Sequence, residues 1–173
     1  MNNKIKWSEA ATQAFILSIV TIAYELISIM FPTMPGVLSI ILSLLKLVVI
    51  IIILRKIMAK DAIKRAPLSY GRSFRYGMAV CFFSSIICAS VATLLYTVVF
   101  PEISEQLVEN TFMILEEANV GSMLDYDELS SGIFKYILFS KFFSCLISGA
   151  IISAILASGT KTLNSDNPFE QGE

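Results

Sequence analysis

Histidine is absent from the 173 residues of this chain. Its absence removes the commonest general base and metal ligand, and with them most familiar hydrolase and zinc chemistry. No G-x-S-x-G elbow, phosphate-binding loop or dinucleotide fingerprint occurs. Charge is scarce as well. Only 16% of the residues are Asp, Glu, Lys or Arg, against about 25% in an ordinary soluble domain. The three cysteines, Cys81, Cys88 and Cys145, all lie inside apolar segments. An outward-facing disulfide framework is therefore not expected, and no CxxC pair suggests zinc. The chain is expected to be no enzyme, with no cofactor and no metal.

What is present is long apolar runs, in a chain that is 55% hydrophobic. The few charges are gathered into short stretches between them. That pattern is an integral membrane protein of the all-α class, not a soluble domain with a large core. Residues 55–75 carry seven of the thirteen Lys and Arg residues and a single acid, Asp61. Residues 102–128 carry eight acids and no base. Four spans are expected in one membrane domain, residues 1–173.

The first span is expected at about 9–31, after a polar start with Lys4, Lys6 and Trp7. It is too long for a signal-peptide core, and no A-x-A site follows. Pro32, Pro35 and Gly36 break it and force a tight return. The second span is about 37–54, in which fifteen of eighteen residues are Val, Ile or Leu. Each contributes roughly −0.3 to −0.6 kcal/mol near the helix centre, which outweighs about +3 kcal/mol for Lys46. A basic loop, 55–73, follows. The third span is about 74–100, with Ser69 as a candidate cap. Arg72 and Arg75 oppose the helix dipole there unless they reach lipid phosphates. An acidic segment, 101–131, leads to the fourth span at about 132–158, and a polar tail occupies 159–173.

Within 102–118 the apolar residues Ile103, Leu107, Val108, Phe112, Ile114, Leu115 and Ala118 share one half of a helical wheel. The glutamates share the other half, with Met113 as the exception. An amphipathic extracytoplasmic helix between spans three and four is expected, stopping at Asn119-Val-Gly121. A metal site at Asp125, Asp127 and Glu128 is the least common reading, because its EF-hand spacing fails where Leu129 and Ser130 stand in place of oxygen ligands and glycine. A partner-docking helix and a solvated face on the membrane surface remain as readings, the second being the commoner.

Two stripes of small residues recur every fourth position: Cys81, Ser85, Ala89, Thr93, and Cys145, Gly149, Ser153, Ala157. Such stripes let helices approach closely. They serve either each other within a bundle or a surface for a second copy. The expected partners are the lipid bilayer and a homo-oligomer or membrane-protein partner. No nucleic acid is expected. Counting Lys and Arg by loop puts both termini and the basic loop in the cytoplasm. Arg55, Lys56, Lys60, Lys64, Arg65, Arg72 and Arg75 are the expected contacts for anionic lipid.

The opening of the third span, Ser69, Tyr70, Gly71, Phe74 and Gly77, resembles that of a bacterial family of small four-span integral membrane proteins of unknown function. A Pro-led, Glu-rich segment before the last span, here 101–128, belongs to the same likeness. The resemblance implies the topology and a place in the bacterial inner membrane. It implies no activity and no site residues.

Ionisable groups inside a span are costly and are functional candidates by default. Three qualify: Glu25, Lys46 and Lys141. Glu25 lies roughly 9 Å below the outer helix end, Lys46 about 13–14 Å and Lys141 roughly 10 Å. Either lysine is a candidate partner for Glu25. Two functions follow. In the first, the charges form a structural ion pair in a structural or accessory protein. In the second, Glu25 is the coupling carboxylate of a small proton-coupled transporter. Whether Glu25 meets a water-accessible cavity or a closed pair separates them.

Overall fold

The computed structural model describes residues 7–31, 35–64, 70–117 and 126–162, with backbone alone at 62–64, 116, 126, 128 and 160–162. The expected turn at 32–34, the Ser69 cap, the stop at 119–121 and residues 163–173 lie outside the described residues, as do Lys4, Lys6 and Asp125.

All described elements are helices. They are α1 (Trp7–Met30), α2 (Gly36–Lys64), α3 (Tyr70–Leu94) continued by a π turn (Leu95–Val99), α4 (Pro101–Glu117) and α5 (Tyr126–Thr162). Four stretches are long and apolar enough to cross a membrane: Trp7–Met30, Gly36–Asp61, Tyr70–Val99 and Leu129–Gly159. Even the shortest, 24 residues, reaches about 36 Å at 1.5 Å per residue, more than the roughly 30 Å hydrocarbon core. The chain is a multi-pass membrane protein.

Helix α2 does not stop at Leu54. It runs on to Lys64, through half of the stretch expected to be loop. The reason is legible in the residues. Leu54, Ile57, Met58 and Asp61 follow one another on one helix face and are all buried, while Arg55, Lys56 and Lys60 are exposed on the other. The apolar stripe outlasts the apolar run. Helix α5 likewise begins before the expected start, at Tyr126.

Helix α3 is the centre of the bundle. It packs along α5 and α1, whereas α2 holds on mainly by the buried residues near its second end. From Pro35 to Ile41 every residue is exposed. The two small-residue stripes face each other. A Cβ added at Gly149 would lie 2.7 Å from Cys81 Cβ and 2.8 Å from its Sγ. One added at Gly77 would lie 2.9 Å from Ser153 Oγ. Cys81 Sγ and Ser153 Oγ share a hydrogen bond at 3.5 Å. Close backbone approach of this kind is how helices associate without a hydrophobic driving force.

The pairings also establish the alternation of direction. Gly77 meets Ser153 and Tyr96 meets Lys141, so α3 and α5 are antiparallel. Trp7 stacks edge-on against Phe83 and Glu25 meets Tyr96, so α1 and α3 are parallel. The start of α1, the basic end of α2, the start of α3 and the end of α5 thus share one end of the bundle.

At the other end the chain turns into α4. Phe100 leaves helical geometry, with φ −131° and ψ 66°, and its N–H bonds back to Leu95 O at 2.8 Å. Pro101 then opens α4, where its missing N–H costs nothing. Helix α4 lies against the π turn and α5. Its inward line is narrower than the apolar half of the wheel. Val108 is buried, and Ile103, Phe112 and Leu115 are half-buried, but Leu107 and Ile114 are exposed along with Met113.

Candidate functional site

Three elements deliver one polar cluster into the apolar bundle. Helix α1 places Glu25 one turn from its end. Helix α5 places Lys141 at the matching depth on the antiparallel course. The π turn after α3 carries Tyr96 to the same level. Lys141 Nζ donates to both carboxylate oxygens of Glu25, at 2.8 and 3.0 Å. The Tyr96 hydroxyl donates to Glu25 Oε2, and Lys141 also reaches the Tyr96 oxygen at 3.4 Å. Glu25 therefore accepts three hydrogen bonds, two of them charge-assisted on both sides. Its side chain is 14% exposed and that of Lys141 33%. The cavity beside the pair is only about 10 Å³, roughly the minimum to hold one water. The cluster is a clamp that ties α1 to α5 through the end of α3.

Lys46 does not join it. Its ammonium sits 3.9 Å from the centroid of the Tyr24 ring, a cation–π contact between α2 and α1. Lys46 faces a second space, a cleft of about 260 Å³ between α1, α2, α3 and α5. Ser43 and Lys46 from α2, Ser84 and Ser85 from α3, and Ser144 and Ser148 from α5 are among its lining residues. Ser43, Ser144 and Ser148 are exposed, so the mouth opens between α2 and α5.

Of the basic residues singled out from the sequence, Arg55, Lys56, Lys60 and Arg75 are exposed and Arg72 is half-buried. The Lys64 side chain and Arg65 lie outside what is described. Asp61, in the same stretch, turns inward. It lines a space of about 110 Å³ with Glu9, Gln13, Lys60 and Tyr76.

Sequence reasoning missed two participants, Tyr96 and Tyr24. The signal for Tyr96 was present. Four residues separate it from the helix end at Phe100, which places it about 6 Å deep and close to the level of Glu25. The π turn that completes its placement has no comparable signature, although such turns gather at functional positions.

Four helices long and apolar enough to cross a membrane, with an ion pair joining the first and the last, define a small polytopic membrane protein. The chain belongs to the family described as "Protein of unknown function (DUF4199)", whose model matches residues 6–162. That agrees with the likeness seen in residues 69–77 and 101–128. No curated protein and no solved structure matches the chain.

Proposed function

We propose that this protein is a non-enzymatic structural or accessory component of the bacterial cytoplasmic membrane. It works in the bilayer with a second copy of itself or another membrane protein. The observation that carries this reading is the state of Glu25. A coupling carboxylate must exchange protons with water on both sides of the membrane. Glu25 instead accepts bonds from Lys141 and Tyr96 beside a space of about 10 Å³. Such a pair fixes which helices meet and in what register, the best attested role of buried polar groups.

In this proposal the end of the bundle that carries Arg55, Lys56, Lys60 and Arg75 faces the cytoplasm, with both termini on the same side. The exposed bases lie where anionic headgroups are found. Helix α4 and its glutamates face outward.

The test is proton movement in vesicles that carry a pH-sensitive dye and the reconstituted protein. An imposed pH gradient should decay at the rate of protein-free vesicles, for wild type and Glu25→Gln alike. Faster decay with wild type, abolished by Glu25→Gln in a folded protein, would overturn the accessory reading in favour of transport.

A further inference from the structure

Glu25, Lys46 and Lys141 bring one carboxylate and two ammonium groups deep into the spans. Glu25 is committed to Lys141 at 2.8 Å. Lys46 is left with the face of Tyr24, and among the described residues it has no carboxylate partner. A cation over an aromatic ring recovers only part of what a lysine costs at the centre of a span. Lys46 stands ten residues after Gly36, so about 15 Å from that end of α2 and near mid-membrane.

The space that Lys46 borders is polar in a setting where polarity has to be satisfied from within. Most of its hydroxyls are already bonded inside their own helices. Ser85 donates to Cys81 O at 2.8 Å and Ser148 to Ser144 O at 2.8 Å. Ser84 is engaged with Cys88 at 3.9 Å. The hydroxyls of Ser43 and Ser144, one on each side of the mouth, make no hydrogen bond among the described residues. An unmatched ammonium and two free hydroxyls thus line the same cleft, which is open sideways between α2 and α5.

We infer that this cleft is a binding site for the anionic headgroup of an amphiphile drawn from the bilayer. A carboxylate or phosphate sits by Lys46, and the apolar chain leaves between α2 and α5. Size supports this division of the ligand. The cleft, about 260 Å³ and open on one side, is far larger than a single water and admits a headgroup with its first carbons. The mouth suits the remainder, because Leu47 of α2 lines the cleft and is exposed. The inference rests on the Glu25–Lys141 pairing, which leaves Lys46 over, and not on the accessory role.

The experiment is fluorescence binding of dansyl undecanoate to the full-length protein in uncharged detergent. Its methyl ester, dodecyl phosphate and inorganic phosphate serve as competitors. The carboxylate should bind at least about tenfold more tightly than the ester, and Lys46→Gln should remove that preference. Lys46→Arg should retain it. Ser144→Phe, which narrows the mouth, should weaken binding without touching the charge. Thermal unfolding of each variant checks that the clamp and fold remain. Displacement by dodecyl phosphate would assign a phosphate-headed lipid, and its failure beside tight carboxylate binding would assign a fatty acid. Equal binding of acid and ester overturns the inference. So does competition by inorganic phosphate as strong as by dodecyl phosphate, a preference that survives Lys46→Gln, or no binding of any probe.

Discussion

Replacing Glu25 with Gln removes one negative charge and almost no volume. The amide keeps one acceptor where the carboxylate had two, and it points an N–H₂ at groups that themselves donate. Lys141 then keeps the amide oxygen, the Tyr96 oxygen at 3.4 Å and the Tyr96 ring, 5.3 Å from its centroid, but no negative charge. Breaking one side of a fully buried pair costs about 3–5 kcal/mol. The third of the Lys141 side chain that is exposed argues for the lower end, about 3 kcal/mol. For a chain of this size that is a fall in the thermal midpoint of roughly 6–12 °C. The assay is thermal unfolding in detergent followed by near-ultraviolet circular dichroism. Tyr96→Phe deletes only the hydroxyl and should cost about 1–2 kcal/mol. Reversing the pair, Glu25→Lys with Lys141→Glu, should recover much of the loss, whereas Glu25→Lys with Lys46→Glu should not. Removing both charges, Glu25→Leu with Lys141→Met, should return stability to within about 1 kcal/mol of wild type or above it, because no uncompensated charge remains. A Glu25→Gln protein that melts with the wild type would refute the clamp. So would a double apolar variant as unstable as the single one.

Two further outcomes follow from the packing. Gly149→Ala should destabilise by about 1–3 kcal/mol, since its Cβ meets Cys81 at 2.7 Å. Gly132→Ala, in the same helix with nothing within 4 Å, should stabilise by up to about 1 kcal/mol, and equal effects in thermal unfolding would contradict the close α3–α5 contact. On α4, Val108→Asp should open the segment to protease, because Val108 is 2% exposed. Leu107→Asp, one residue away and 36% exposed, should leave the digestion rate near that of wild type.

Much of the fold was legible because each signal is local. Insertion of a helix depends on the summed transfer energy of consecutive residues, so Lys46 within fifteen Val, Ile and Leu residues does not disguise α2. The stripes at Cys81 and Gly149 announce close contact, because small residues at a four-residue spacing share a face. The end of α2 was misplaced when charge was taken as the boundary. The buried line Leu54, Ile57, Met58 and Asp61 continues beneath Arg55, Lys56 and Lys60. The apolar half of α4 was visible, but the wheel does not reveal how much of it the bundle covers. Val108 is covered, while Ile114 is left outside.

The sequence by itself determined the number of apolar spans, the segregation of charge between 55–75 and 102–128, and the three ionisable residues within those apolar runs. Only the tertiary structure decided that Glu25 belongs to Lys141, that Tyr96 joins them, and that Lys46 faces Tyr24 and an open cleft. The reason is geometric. Composition and depth average over the direction in which a side chain points, and that direction turns by about 100° with each residue. A partner is chosen by the rotation and tilt of a whole helix against its neighbours. For α5 those follow from Cys81 seated against Gly149 two turns further along the helix, not from anything beside Lys141 in the chain.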